Sequence, residues 1–135
     1  MDTRDLSLIK LRPELPNVKL DGFMSTEESF QNKTLRPVIK LQNDILVAVF
    51  KNYIRKHKNI FNTYTPDQRL EYIDTVTKKD IKFRNSLKGI IIGHFTLEEY
   101  AVYIQNSSAL NKRMMNIVKE RLKSNLLEFE IIESQ

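Results

Sequence analysis

Thr65-Pro-Asp-Gln-Arg-Leu-Glu-Tyr-Ile-Asp-Thr-Val-Thr77 is the stretch on which the fold turns. A threonine hydroxyl can accept the backbone N–H three residues on. Gln68 can reach back to the Thr65 N–H, and Pro66 occupies the first helical position, where a missing donor costs nothing. Leu70, Ile73, Val76 and Thr77 then recur at helical spacing and mark one buried side. The segment is a capped amphipathic helix, and the rest of the chain is read outward from it.

Downstream, Lys78 and Lys79 suit a helix C-terminus, and Asp80 can cap a second helix carrying Phe83, Leu87, Ile90 and Ile91. No glycine or proline divides the two, so one continuous helix over 66–92 is the alternative. Gly93 fits a C-terminal cap. Thr96 and Glu99 form a further capping box, with Phe95 and Tyr100 at the hydrophobic-staple positions around it. A last helix carries Tyr100, Tyr103, Ile104, Leu110, Met114, Ile117, Val118 and Leu122 at spacings of three and four. Near the end Leu127, Phe129 and Ile131 alternate with polar neighbours, as a short strand or a frayed helix would.

Upstream, Leu41, Ile45 and Val49, with Leu46, Phe50 and Tyr53 beside them, form a wide stripe over Val38–His57. The run Ile45–Phe50 alone reads equally well as a buried strand, but the flanking length without a turn signal favours a helix. Ser25 and Glu28 form a capping box that opens an earlier helix; either it ends near Leu35 and a second starts with Pro37 in its first turn, or one helix is kinked there. Before it, Arg12-Pro13, Leu15-Pro16 and Asp21-Gly22 push the chain out of helical geometry. Residues 1–22 are therefore predicted to be an extended arm whose Leu6, Leu8, Ile9 and Leu11 pack on the core or on a partner. The expectation is an all-α protein, an antiparallel bundle of three to five helices forming one domain over 23–135.

Composition narrows the function classes. The 135 residues contain no cysteine, which removes disulfides, thiolate metal sites and cysteine nucleophiles. The longest apolar run, Ile45–Phe50, is far too short to span a membrane. Arg4, Asp5 and Lys10 interrupt the block a secretory signal would need, so a cytoplasmic location is expected. A formal charge of +5 favours an anionic partner, although fourteen lysines, fourteen isoleucines and eleven asparagines also fit an A/T-rich coding sequence.

No catalytic motif is present. Ser107-Ser108 lacks the glycine-flanked elbow of a serine nucleophile, and Gly22, Gly89 and Gly93 form no phosphate-cradling loop. The chain has two histidines. His94 precedes Glu98 and Glu99 and could complete a metal site with them, yet both carboxylates also belong in the first turn of a helix on capping grounds. His57 sits where an imidazole meets the free carbonyls of a helix end. No cofactor is expected. Lys40, Lys51, Arg55 and Lys58 share one helix face, and Lys112, Lys119 and Lys123 share another. The stretch Gln105-Asn106-Ser-Ser-Ala-Leu-Asn111-Lys112-Arg113 interrupts a helical pattern with small and amide side chains, marking either a polar groove or a kink. The binding candidates are Lys51, Arg55, Lys58, Asn106, Asn111, Lys112, Arg113 and Lys119.

The strings Phe30-Gln-Asn-Lys-Thr-Leu-Arg-Pro37, Leu41-Gln-Asn-Asp44, Asp80-Ile-Lys-Phe-Arg-Asn85 and Asn106-Ser-Ser-Ala-Leu-Asn-Lys-Arg-Met-Met115 resemble a group of short bacterial helical proteins, from about Phe30 onward. Some of its members carry a glyoxalase label. Metal-dependent glyoxalases use His and Glu ligands on the strands of repeated βαβββ modules, and no residue here matches those ligands. The resemblance implies a helical domain. On residues and resemblance together, the expected function is a non-enzymatic interaction protein that presents basic, amide-rich helix faces to a protein or assembly. The alternatives are a nucleic-acid- or ribosome-associated protein and a metal-assisted lyase or hydrolase. Exchange of the apolar arm or tail between copies would make a homo-oligomer.

Overall fold

Helix boundaries follow the capping residues. In the computed structural model, which describes residues 2–15 and 24–130, the chain forms α1 (Thr3–Leu11), α2 (Thr26–Phe30), α3 (Arg36–Leu41) and α4 (Asn43–Lys56). These are followed by α5 (Pro66–Lys79), α6 (Ile81–Ile92), α7 (Leu97–Tyr103) and α8 (Ser107–Ser124). A π-helical turn, Gln31–Leu35, joins α2 to α3, and 3-10 turns lie at Ile60–Thr63 and Leu126–Phe129. No strand occurs among the described residues, and the protein is all-α.

Both full capping boxes form, at Thr65 with Gln68 and at Thr96 with Glu99. Ser25 accepts from the Glu28 N–H as expected. The segments are shorter and more numerous than three to five, because polar side chains divide the long amphipathic runs. Gln42 (φ −88°, ψ 8°) separates α3 from α4 and donates its amide to the Ile90 carbonyl at 3.2 Å. Asn106 (φ −149°, ψ 48°) separates α7 from α8, so the amide-rich stretch marks a break in the helix. A new helix, α3, starts with Pro37 in its first turn, as one of the two expected alternatives has it. The π turn just before it closes an Arg36 N–H to Gln31 carbonyl bond, shifting the register where proline can neither donate nor tolerate the usual carbonyl.

The predicted extended arm is corrected over Thr3–Leu11, which is helical. Asp2 caps that helix by accepting the Asp5 N–H, a signal hidden by the prolines further on. Arg12 then turns the chain into extended geometry ahead of Pro13. Residues 16–22 of the predicted arm, and Ile131 of the predicted alternation, lie outside the described residues. Leu127 and Phe129 belong to a 3-10 turn.

Phe50 is the hub of the core. It is fully buried, meets Phe61 and Phe129 edge-on with ring centres 5.6 and 4.8 Å apart, and also contacts Tyr53, Tyr72 and Phe83. The buried side of α4 is Leu46, Val47, Phe50 and Ile54, rotated from the expected stripe so that Ile45 faces outward. On α8, Leu110, Met114, Val118 and Leu122 are buried against α4, α5, α6 and the π turn. The opposite side of α8 is left to polar residues, and that side carries the site described below.

The α5–α6 junction is two helices, not one. Asp80 (φ −81°, ψ 96°) leaves helical geometry, accepts the Phe83 N–H at 3.2 Å and takes the Tyr53 hydroxyl at 2.7 Å. That hydroxyl, then the Phe83 N–H, hold the Asp80 carboxyl below its ordinary 3.8. A depressed carboxyl stabilises the fold fully above its unfolded value and loses that contribution as pH falls through the lowered one. Tyr53→Phe should therefore cost about 1 kcal/mol at neutral pH. The difference from wild type should shrink on acidification below pH 3.8, measured by denaturant unfolding across the pH series.

Candidate functional site: a basic cleft between three helices

The α8 face opposite the core carries Lys112, Asn116, Lys119 and Lys123, spaced four, three and four residues apart, so they line one side of the helix. From α5, Asp74 and Lys78 project toward it, one turn apart. Arg84 comes from the second turn of α6, aimed there by the break at Asp80. Together they line a cleft of about 470 Å³ whose floor includes Met115 and Thr77. The Thr77 hydroxyl is already committed to the Ile73 carbonyl at 2.7 Å.

Charge in this cleft is not balanced. Asp74 Oδ1 lies 2.8 Å from Lys123 Nζ and 3.6 Å from Lys119 Nζ, so one carboxylate serves two ammonium groups. The 2.8 Å contact is ionic in character, since Oδ1 is buried with no well-aligned hydrogen-bond donor. Lys78, Arg84 and Lys112 have no carboxylate within ion-pair distance among the described residues. Five cations against one anion leave the cleft with four uncompensated positive charges. The Lys119 and Lys123 side chains are only 29% and 23% exposed, so water screens them less than it screens ordinary surface lysines.

The other predicted stripe is different. Lys51 and Arg55 line a recess of about 200 Å³ together with Glu128 and Glu130, and Glu130 also lies 3.6 Å from Arg69. Lys58 lies beyond the end of α4 in a left-handed conformation (φ 61°), off the face it was expected to share. Within the amide-rich stretch, Asn106, Asn111 and Arg113 have their side chains engaged within the chain. Asn106 donates to Glu27 at 2.6 Å, Asn111 accepts the Tyr103 hydroxyl, and Arg113 donates to Gln31 at 3.0 Å. They brace the start of α8 against α7, α2 and the π turn. Of the eight predicted binding residues, the cleft gathers Lys112 and Lys119. Asp74, Lys78 and Arg84 were missed. The four-residue spacing of Asp74 and Lys78 is legible, but only the packing reveals that α5 and α6 face α8.

The His94, Glu98 and Glu99 trio does not assemble into a metal site, and no three His, Asp or Glu side chains converge as one among the described residues. Glu99 is saturated by other partners. Arg12 grips it with two nitrogens at 2.7 and 2.6 Å, Thr34 Oγ1 donates at 2.8 Å and the Thr96 N–H at 2.8 Å. Burial pushes the Glu99 carboxyl up, but these donors outweigh it and hold it below its ordinary 4.5. His94 is pushed down, first by burial and then by the nearby Arg12 and Arg4, which favours the neutral ring and opposes a further cation beside it. The same arginines secure α1 to the body. Arg12 donates to the His94 carbonyl, Arg4 to those of Gly93 and Phe95, and Asp5 accepts the Leu97 N–H. Gly93 keeps right-handed geometry, and the guanidinium groups bond the carbonyls of Gly93, His94 and Phe95 in the turn between α6 and α7. His57 meets the free end of α4 as expected, its Nδ1 2.9 Å from the Tyr53 carbonyl.

No helix among the described residues is long and apolar enough to cross a membrane. Comparison with family models, curated proteins and solved structures finds no match to this chain.

Arg12→Ala should strip Glu99 of its charge partner and cost about 2–3 kcal/mol, because it leaves a largely buried carboxylate uncompensated. Limited proteolysis should then cut near residues 12–15 well before the rest of the protein. The contribution of Glu99 is complete above pH 4.5 and is lost as pH falls below it, so Arg12→Ala and wild type should converge in stability in acid.

Proposed function

We propose that this protein is a non-enzymatic interaction module whose α5–α6–α8 cleft docks an acidic face of a protein partner or assembly. The observation that carries this reading is the excess of cations in the cleft: Lys119 and Lys123 share Asp74, while Lys78, Arg84 and Lys112 have no carboxylate within ion-pair distance among the described residues. Like charges held in a partly desolvated recess repel one another, and an anionic surface docked there relieves that repulsion. The recess at Lys51 and Arg55 has a smaller excess of positive charge, because Glu128 and Glu130 also line it, Glu130 lying 3.6 Å from Arg69. Among the described residues no aromatic side chain lines the cleft, which gives unpaired bases no stacking platform there and favours a protein over a single-stranded nucleic acid as partner.

The decisive experiment compares wild type with a Lys112→Glu/Lys119→Glu variant in affinity purification from the native cell, after circular dichroism shows that both are folded. The proposal expects a defined set of proteins to be lost with the variant, and to survive nuclease treatment with the wild type. Retention of all partners by the variant would remove the cleft from the account. Release by nuclease would transfer the site to nucleic acid.

A further inference from the structure

The cleft's charge and geometry also bear on the chemical group it recognises. A single carboxylate is already there, and Asp74 does not neutralise its surroundings: Lys123 lies 2.8 Å and Lys119 3.6 Å from the same oxygen. A second monovalent carboxylate would leave most of the excess charge in place. A phosphate group brings about two charges and three strong acceptor oxygens. The donors that would meet those oxygens come from three helices. Lys78 belongs to α5, Arg84 to α6, and Lys112 and Asn116 to α8. Arg84 adds a planar fork suited to bidentate contact with phosphate. Converging donors match a tetrahedral anion better than a planar one. The volume of about 470 Å³ lies within the usual range for a small-molecule site, and the lining of Lys, Arg, Asn, Thr and Met offers nothing for a base to stack on.

Building on the reading of the cleft as an anion-docking surface, we infer that the group it recognises is a cluster of phosphates, and that Asp74 is the internal counter-ion an incoming phosphate displaces from Lys119 and Lys123. Asp74 thus sets the affinity of the cleft by competing for the same two ammonium groups. The phosphates can come from a small oligophosphate-bearing molecule or from a phosphorylated segment of a partner. Their shared chemistry is what the cleft reads.

The test is calorimetric titration and thermal melting of the folded protein with sodium tripolyphosphate, with a multiply phosphorylated serine peptide, with a polyglutamate peptide and with single-stranded RNA, at low and at moderate salt. Tripolyphosphate should bind and raise the melting temperature, and should bind more weakly as salt rises. Arg84→Gln and the exposed Lys112→Gln should each weaken it about tenfold, the loss of one charge-assisted contact. Asp74→Asn should tighten it severalfold, whereas a carboxylate that merely positions the two lysines would weaken it when removed. Looser binding in Asp74→Asn therefore overturns the counter-ion role. Unchanged affinity in both Arg84→Gln and Lys112→Gln places the phosphate elsewhere and overturns the site. Binding of polyglutamate but not tripolyphosphate leaves the acidic-partner reading standing and overturns the phosphate inference, while RNA binding alone overturns both. A melting shift greater for a phosphorylated peptide than for tripolyphosphate assigns the phosphates to a partner segment, and the reverse assigns them to a small molecule.

Discussion

The contact between the Tyr53 hydroxyl and the Asp80 carboxylate underlies the geometry of the rest. Asp80 interrupts what would otherwise be one amphipathic helix from residue 66 to 92, and Tyr53 fixes the interruption to the central helix at 2.7 Å. Because the chain turns there, α5 and α6 both pack against α8, and Arg84 arrives beside Lys112 rather than a turn further along a straight rod. Tyr53 itself sits in the aromatic cluster around Phe50, stacked on that ring and close to Phe83. The hydrophobic core and the polar hinge are thus joined in one residue. Burial, with the Asp80 carboxylate beside it, pushes the Tyr53 hydroxyl up, so it remains a donor throughout the physiological range.

A second polar device serves the other end of the molecule. Arg4 and Arg12 of the N-terminal segment bond to carbonyls at the end of α6 and to Glu99 at the start of α7. Asp5, nearly fully buried, accepts a backbone N–H from the same corner. The helix α1 is attached chiefly through these charged contacts, while its Leu6, Ile9 and Leu11 stay exposed. Leu8 is half-buried, and because the charged contacts carry no apolar period, a reading based on apolar positions missed the helix.

What the sequence revealed and what it concealed divide along physical lines. Capping boxes at Thr65 and Thr96 are local: the partners lie three residues apart, and both form as read. Buried positions on α5, α6 and α8 follow the helical period and were equally legible, as Ile73, Leu87 and Met114 show. The break at Asn106 was legible as a kink in the amide-rich stretch, whereas the break at Gln42 was not, because Gln42 bonds a long-range partner, the Ile90 carbonyl. The candidate site failed in the same way. Lysine stripes on α4 and α8 look alike in one dimension, and only tertiary packing sets Glu128 and Glu130 beside the first while leaving the second with Asp74 alone. The amides of the 105–113 stretch mark something unusual, but that unusual feature is internal bracing.

We propose that unbalanced charge between α5, α6 and α8, and not the basic surface as a whole, would draw an anionic group to this protein. Backbone amide NMR during a titration with inorganic phosphate tests it most directly, since it reports position as well as affinity. The account predicts saturable shifts confined to the second half of α5, the first turns of α6 and the Lys112–Lys123 face of α8. Shifts centred on Lys51 and Arg55, or small changes spread evenly over all the lysines, would contradict it.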